Sequence, residues 1–287
     1  MCLDWNKIHR QVLASGSADT TVKIWDVTSE VNKPSNTYTC HKGKVQSVRW
    51  HPSEGTILAS GGFDKLACLL DCRQADSNSV RRVKISADCE AIAWDPHKQE
   101  RLVIATEDGL LTCYDVRNLN EHLWQITAGE YGVSDVSFSP NMAGMIATCA
   151  IDKTVNIWDA HCPSLRPTKV HSREMGAGKL YTCGFYPSSD WLLGVGGTGG
   201  ALSLWEMGEE ELVVKTFSSR RVTPVNQVPD ELDEEEPLEA PQVKDEDFER
   251  MMAAGDAAAA NAAKGLEKKG AGKKKNSKKK PKARGKK

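Results

Sequence analysis

The 287 residues are 39% hydrophobic and carry 38 Lys or Arg against 39 Asp or Glu, a formal net charge of −1. That size allows a substantial core, while no stretch approaches the ~18 apolar residues of a membrane span and no signal-peptide pattern opens the chain, so the expectation is an intracellular protein. The near-zero charge is a cancellation, because residues 1–229 sum to −3, residues 230–250 to −9 and residues 264–287 to +12.

From the first residues onward, short alternating or apolar runs such as "KVQSVRW", "TILAS" and "LACLLD" are bounded by Gly, Asp, Ser and Pro. Such runs read as strands separated by turns, and no helix-length periodic segment appears before residue 229. The stretch "TVKIWDV" at 21–27 nearly recurs as "TVNIWDA" at 154–160. Between them the apolar-acidic step repeats as Trp25-Asp26, Leu70-Asp71, Tyr114-Asp115, Trp158-Asp159 and Trp205-Glu206, in steps of 45, 44, 44 and 47. Trp5, Trp50, Trp94, Phe138 and Phe185, mostly followed by x-Pro, keep the same steps. A third marker of small residues closed by an acid or glycine, from "LASGSAD" at 13–19 to "GVGGTGG" at 194–200, lies in phase with both.

About four short strands per 44 residues is the pattern of one propeller blade, and the His…Trp-Asp spacing resembles the WD-repeat family over residues 1–217. The fold expected is all-β, a WD-repeat β-propeller with five recognisable blades at 1–43, 44–87, 88–131, 132–178 and 179–217. WD-repeat propellers mostly close with seven blades, and the chain opens at "MCLDWNK", already the first strand of a blade. Five blades would leave a strand edge open to pairing, so an incomplete seven-blade propeller is expected, with a five-blade closure or an edge completed by a partner as alternatives.

The resemblance implies a structural chain of His, Ser or Thr, Asp and Trp in each blade. Its fullest form here is His41, Ser60 and Asp64, with Leu70 where Trp would stand; Asp19 with Trp25, and Asp152 with Trp158, retain the other end. Buried carboxylates are hydrogen-bonded, which favours a structural over a catalytic role. The nine Cys fall mostly singly on strands or their ends, and only Cys68 and Cys72 are close, without the second pair a zinc site needs. "GVGGTG" at 194–199 matches a dinucleotide fingerprint but precedes a strand rather than a helix, and "MGAGKL" at 175–180 lacks parts of a phosphate loop. No enzyme, metal or cofactor is expected. Asp71 with Arg73, and Asp115 with Arg117, resemble the Asp-x-Arg motif by which WD-repeat receptors dock on a cullin-type ubiquitin ligase adaptor; the plain alternative is a surface ion pair of little energy.

Beyond the blades, residues 218–263 read as a disordered linker, acidic and then Ala-rich, and residues 264–287 as a Lys-rich basic tail. The tail lysines Lys273, Lys274, Lys275, Lys278, Lys279 and Lys280 suit nuclear targeting or non-specific phosphate contacts, and the tail has no aromatic residue for base stacking.

Several stretches together resemble the periodic tryptophan protein 1 family: "LDWNK", "HKGKVQSVRWHP", "DGLLTCYDVRN", "IDKTVNIWD" and above all "VHSREMGAGKLYTCGFYP" at 170–187. The order fits that family's carboxy-terminal part, and the charged tail departs from it. The resemblance implies a non-enzymatic scaffold of large (60S) subunit assembly and pre-rRNA processing in the nucleolus, with pre-ribosomal proteins and rRNA as partners. Lys42, Lys44, Arg173 and Lys179 are expected on one loop face as contacts. A chromatin or histone adaptor in the nucleus and a ligase substrate receptor are the competing classes.

Overall fold

The computed structural model describes residues 2–29, 33–74, 80–161 and 166–222. Five antiparallel sheets follow one another along the chain, each a meander in which every strand pairs with the next. The first comprises β1 (Cys2–Trp5), β2 (Val12–Gly16), β3 (Val22–Asp26) and β4 (Asn36–Tyr38); the second β5 (Val45–Trp50), β6 (Ile57–Gly62), β7 (Leu66–Asp71) and β8 (Arg81–Lys84). The third holds β9 (Cys89–Trp94), β10 (Arg101–Thr106), β11 (Leu110–Asp115) and β12 (Asn118–Thr127), and the fourth β13 (Val133–Phe138), β14 (Met145–Ala150), β15 (Thr154–Asp159) and β16 (Thr168–Glu174). The fifth has three strands, β17 (Leu180–Phe185), β18 (Leu192–Gly197) and β19 (Leu202–Glu206).

The first strands β1, β5, β9, β13 and β17 lie side by side in that order, so the sheets radiate as blades. The core is divided among the seams between neighbouring blades. Val22 and Ile24 of β3 pack with Val45, Val48 and Leu58 of the second blade. In the same register, Ala67 and Leu69 meet Ile92 and Ile104, Leu111 and Cys113 meet Val136 and Ile146, and Val155 and Ile157 meet Cys183 and Leu193. Each third strand thus buries an alternating apolar pair on the blade that follows, which is why the sequence period coincides with the blade.

The fifth pair has no such cover. Leu202 and Leu204 are 71% and 62% exposed, and at the other end Leu3 and Trp5, the counterparts of the buried Val48 and Trp50, are 62% and 50% exposed. Strands β5, β9 and β13 are largely buried, whereas β1 and β17 turn many side chains to solvent. The described residues therefore form an open arc of five blades.

Tight turns between second and third strands share one backbone device. Thr20, Lys65, Gly109, Lys153 and Gly200 have φ of 70°, 58°, 82°, 74° and 72° and stand 45, 44, 44 and 47 residues apart. In the first four the preceding Asp accepts the amide two residues on, as Asp19 does from Thr21 at 3.0 Å and Asp152 from Thr154 at 2.9 Å, the side-chain mimicry that favours Asp in turns.

After β19 the chain departs from the expected absence of helix. A 3-10 turn at Met207–Glu209 leads into α1 (Glu211–Phe217), whose Val213 and Phe217 are buried with Met142, Trp205 and Met207. Two apolar residues one helical step apart are too few to register as a period, and so short a helix depends on packing. The segment is fastened to the fourth blade. Glu210 lies 3.6 Å from His171 and 3.5 Å from Arg173, the Arg220 guanidinium forks onto Asp159 with Nη2 3.0 Å from Oδ2, and the Val222 amide donates to the Asn141 carbonyl.

Candidate functional site

The second blade carries the fullest polar chain. His41 follows Cys40, just past the first blade's outer strand, and its ring sits between two groups of the second blade: Nδ1 is 3.0 Å from Asp64 Oδ1 and Nε2 is 2.9 Å from Ser60 Oγ. Asp64 also accepts the Lys42 amide at 2.7 Å. Burial raises the Asp64 pKa, but the Lys42 amide and His41 outweigh it and hold the carboxyl below its ordinary value. Burial opposes charge on His41, yet Cys40 and Asp64 beside it keep its pKa raised. Leu70 fills the place of the missing Trp as a fully buried apolar residue.

Elsewhere the network is split. Trp25 Nε1 donates to Ser15 Oγ at 2.8 Å and Trp158 Nε1 to Thr148 Oγ1 at 2.9 Å, each ten residues back on the adjoining strand. Asp19 is half-exposed and pairs with Lys23 at 3.0 Å, and Asp152 bonds Thr154; neither reaches its blade's Trp. Ten residues before Trp205 stands Val195, and the buried Trp205 indole N–H has no partner among the described residues.

The four expected loop cations do not behave alike. Lys42 and Lys44 lie on the loop before β5, with Lys44 Nζ 4.8 Å from the Phe63 ring centre, and Lys179 precedes β17, its amide donating to Thr198 Oγ1. Arg173 is different. It belongs to β16, paired with Val155, and its guanidinium stands 5.5 Å from the Trp205 ring centre and 3.5 Å from Glu210. The turn after β19 brings Glu210 there, a contact across 37 residues that loop counting misses.

Arg73 and Arg117 each close a fork on their own acid: Nε is 2.9 Å from Oδ1 of Asp71 and of Asp115 respectively. The tail lysines 273–275 and 278–280 lie outside the described residues. The glycine-rich 194–199 stretch runs from β18 into the turn that precedes β19.

Sequence spacing also hid one grouping. Cys40, His41 and Cys68 place their ligand atoms within 4.8 Å of one another in the buried seam between the first two blades. Both His41 nitrogens are already engaged with Asp64 and Ser60, so a metal here would have to break the blade network.

The WD domain, G-beta repeat family pattern matches residues 1–26, 32–71 and 116–159. Periodic tryptophan protein 1 of Saccharomyces cerevisiae is 32% identical over 226 residues, 75% of this chain and 39% of the relative. The periodic tryptophan protein 1 homolog of Drosophila melanogaster is 28% identical over 68% of this chain and 42% of its own length. The chain thus spans about two fifths of the length of these curated relatives. Among solved structures, a chain in "Crystal Structure of Mitotic Checkpoint Complex" superposes with a TM-score of 0.63 at 24% identity, covering 71% of this chain and 60% of that one, a likeness of fold.

Proposed function

We infer the function from the premise that this chain is a WD-repeat β-propeller protein related to the periodic tryptophan protein 1 group. It acts as a non-enzymatic scaffold in ribosome biogenesis, in the nucleolus, on the large (60S) subunit and its pre-rRNA. The observation that carries this is the relatedness over three quarters of the chain to the Saccharomyces cerevisiae protein. The polar groups that could suggest catalysis support it from another side, since His41, Ser60 and Asp64 are spent on one another inside a blade seam.

On this reading Lys42, Lys44 and Lys179 supply cations on blade-leading loops, and the Lys-rich tail adds non-specific phosphate contacts. Arg173 is left out because Glu210 already takes its charge. Affinity purification of the tagged chain, with and without RNase, tests the proposal. Large-subunit precursors are expected in the untreated sample. Recovery of histones or ligase adaptors in their place would overturn it. Deleting residues 264–287 should weaken RNA association and flatten its salt dependence, because phosphates that the tail no longer neutralises keep their condensed counterions.

A further inference from the structure

Four blades contribute the second residue of their first strand to one place. Gln46, Glu90, Ser134 and Tyr181 stand 44, 44 and 47 residues apart, the step of the repeat itself, so they occupy the same register position on β5, β9, β13 and β17. Together with Glu107, Tyr131 and Ile151 they line a cavity of about 620 Å³ at that end of the arc.

The chemistry of the lining is one-sided. Glu90 is half-buried and accepts the Gln46 side-chain amide at 3.2 Å. Burial raises its pKa, and neighbouring Glu107 adds to the effect. Glu107 stands on the turn between β10 and β11, its amide donating to the Asp88 carbonyl at 3.0 Å. The same lining carries two tyrosines left in water: Tyr131 is 64% and Tyr181 56% exposed. The backbone that presents Tyr131 is tightly seated, since Gly132 has φ +89° and a Cβ there would meet the Glu107 carbonyl oxygen at 2.7 Å. Lys and Arg are absent from the lining among the described residues, and Lys44 nearby is turned over Phe63.

Carboxylates and exposed aromatic side chains in one cavity suit a cation borne on an apolar stem: the charge gains from the acids and ring quadrupoles, and the methylenes cover the rings. A phosphate would be repelled by both carboxylates. We propose that this mouth binds a lysine or arginine side chain of a basic peptide, its charged head between Glu90 and Glu107 and its stem on Tyr131 and Tyr181. Lys44, one of the phosphate contacts assigned above, lies close enough to act on the Glu90 charge, but the site does not depend on that assignment.

Fluorescence anisotropy of the full chain with a labelled oligolysine peptide, at about 0.15 M salt to screen diffuse attraction, tests the site. The acidic run at 230–250 also attracts such a peptide, so the variants leave it intact. Glu90→Gln with Glu107→Gln, and separately Tyr131→Ala with Tyr181→Ala, should each weaken binding about tenfold. Tyr131→Phe with Tyr181→Phe should bind as the parent does, because the ring faces remain and the near-isosteric exchange spares the fold. Undiminished binding by the Tyr→Ala variant overturns the proposal, as does equal binding of a fully acetylated peptide.

Discussion

Asp64 shows how a single carboxylate is committed to structure. It takes the Lys42 amide and His41 Nδ1 while nearly buried, and these partners keep it ionised. Asp64→Asn should cost about 2–3 kcal/mol at neutral pH by leaving His41 poorly matched. The pH dependence has a definite sign. A carboxyl whose pKa is depressed by folding contributes stability above its unfolded pKa, and that contribution is lost as pH falls through the folded value. The gap between parent and Asp64→Asn in chemical denaturation should therefore close on acidification, and the share of it that comes from charged His41 should fade as pH rises through that residue's raised folded pKa. A second residue-scale prediction concerns Thr20, a β-branched residue at φ 70°. Left-handed backbone disfavours it, so Thr20→Gly should raise the stability of the first blade by about 1 kcal/mol, read as a higher melting temperature. A fall would mean that the glycine's greater freedom in the unfolded chain dominates.

At the scale of elements, the third strands repeat their hydrogen bonds where the neighbouring strand offers a hydroxyl. Thr148 serves Trp158 and Ser15 serves Trp25, but Val195 offers Trp205 nothing. Thr148→Val would recreate the fifth blade's situation in the fourth, orphaning a buried indole N–H at a cost of about 1–2 kcal/mol, measurable by urea unfolding. The segment after β19 depends on different forces. Asp159 is buried at the end of β15, and the Arg220 fork neutralises it. Arg220→Ala leaves that carboxylate unpaired and should cost about 2–3 kcal/mol. The loss should appear as faster amide exchange over 211–222 and at the Ala143 amide, which the Arg220 carbonyl accepts. Unchanged exchange there would show that Phe217 and Val213 hold the segment alone.

Taken whole, the arc repeats one blade-to-blade seam four times and leaves the two halves of a fifth unsatisfied, Leu202 with Leu204 at one end and Leu3 with Trp5 at the other. Exposed apolar patches of this kind attract other apolar surface. Leu202→Ser with Leu204→Ser in this chain should reduce binding of a hydrophobic dye and slow aggregation, with little change in melting temperature because neither side chain is buried. Equal dye binding by parent and variant would place the sticky surface elsewhere. The acidic, aromatic mouth belongs to this scale as well, because four blades contribute to it and no single blade contains it.

The periodic part of the molecule is legible in the amino-acid order alone: five blades, their strand order and the His41, Ser60 and Asp64 positions. Each blade is built from interactions within or between consecutive units of about 44 residues, so one alternation of apolar and polar side chains writes both strand and seam. The rest came only with the folded chain. Helix α1, the Arg173–Glu210 and Arg220–Asp159 pairs, the Cys40–Cys68 proximity and the acidic, aromatic mouth join residues that share no local pattern. Their partners are brought together by the placing of one blade beside another, and the energy that places them lies in the apolar seams, far from the charges and rings that result.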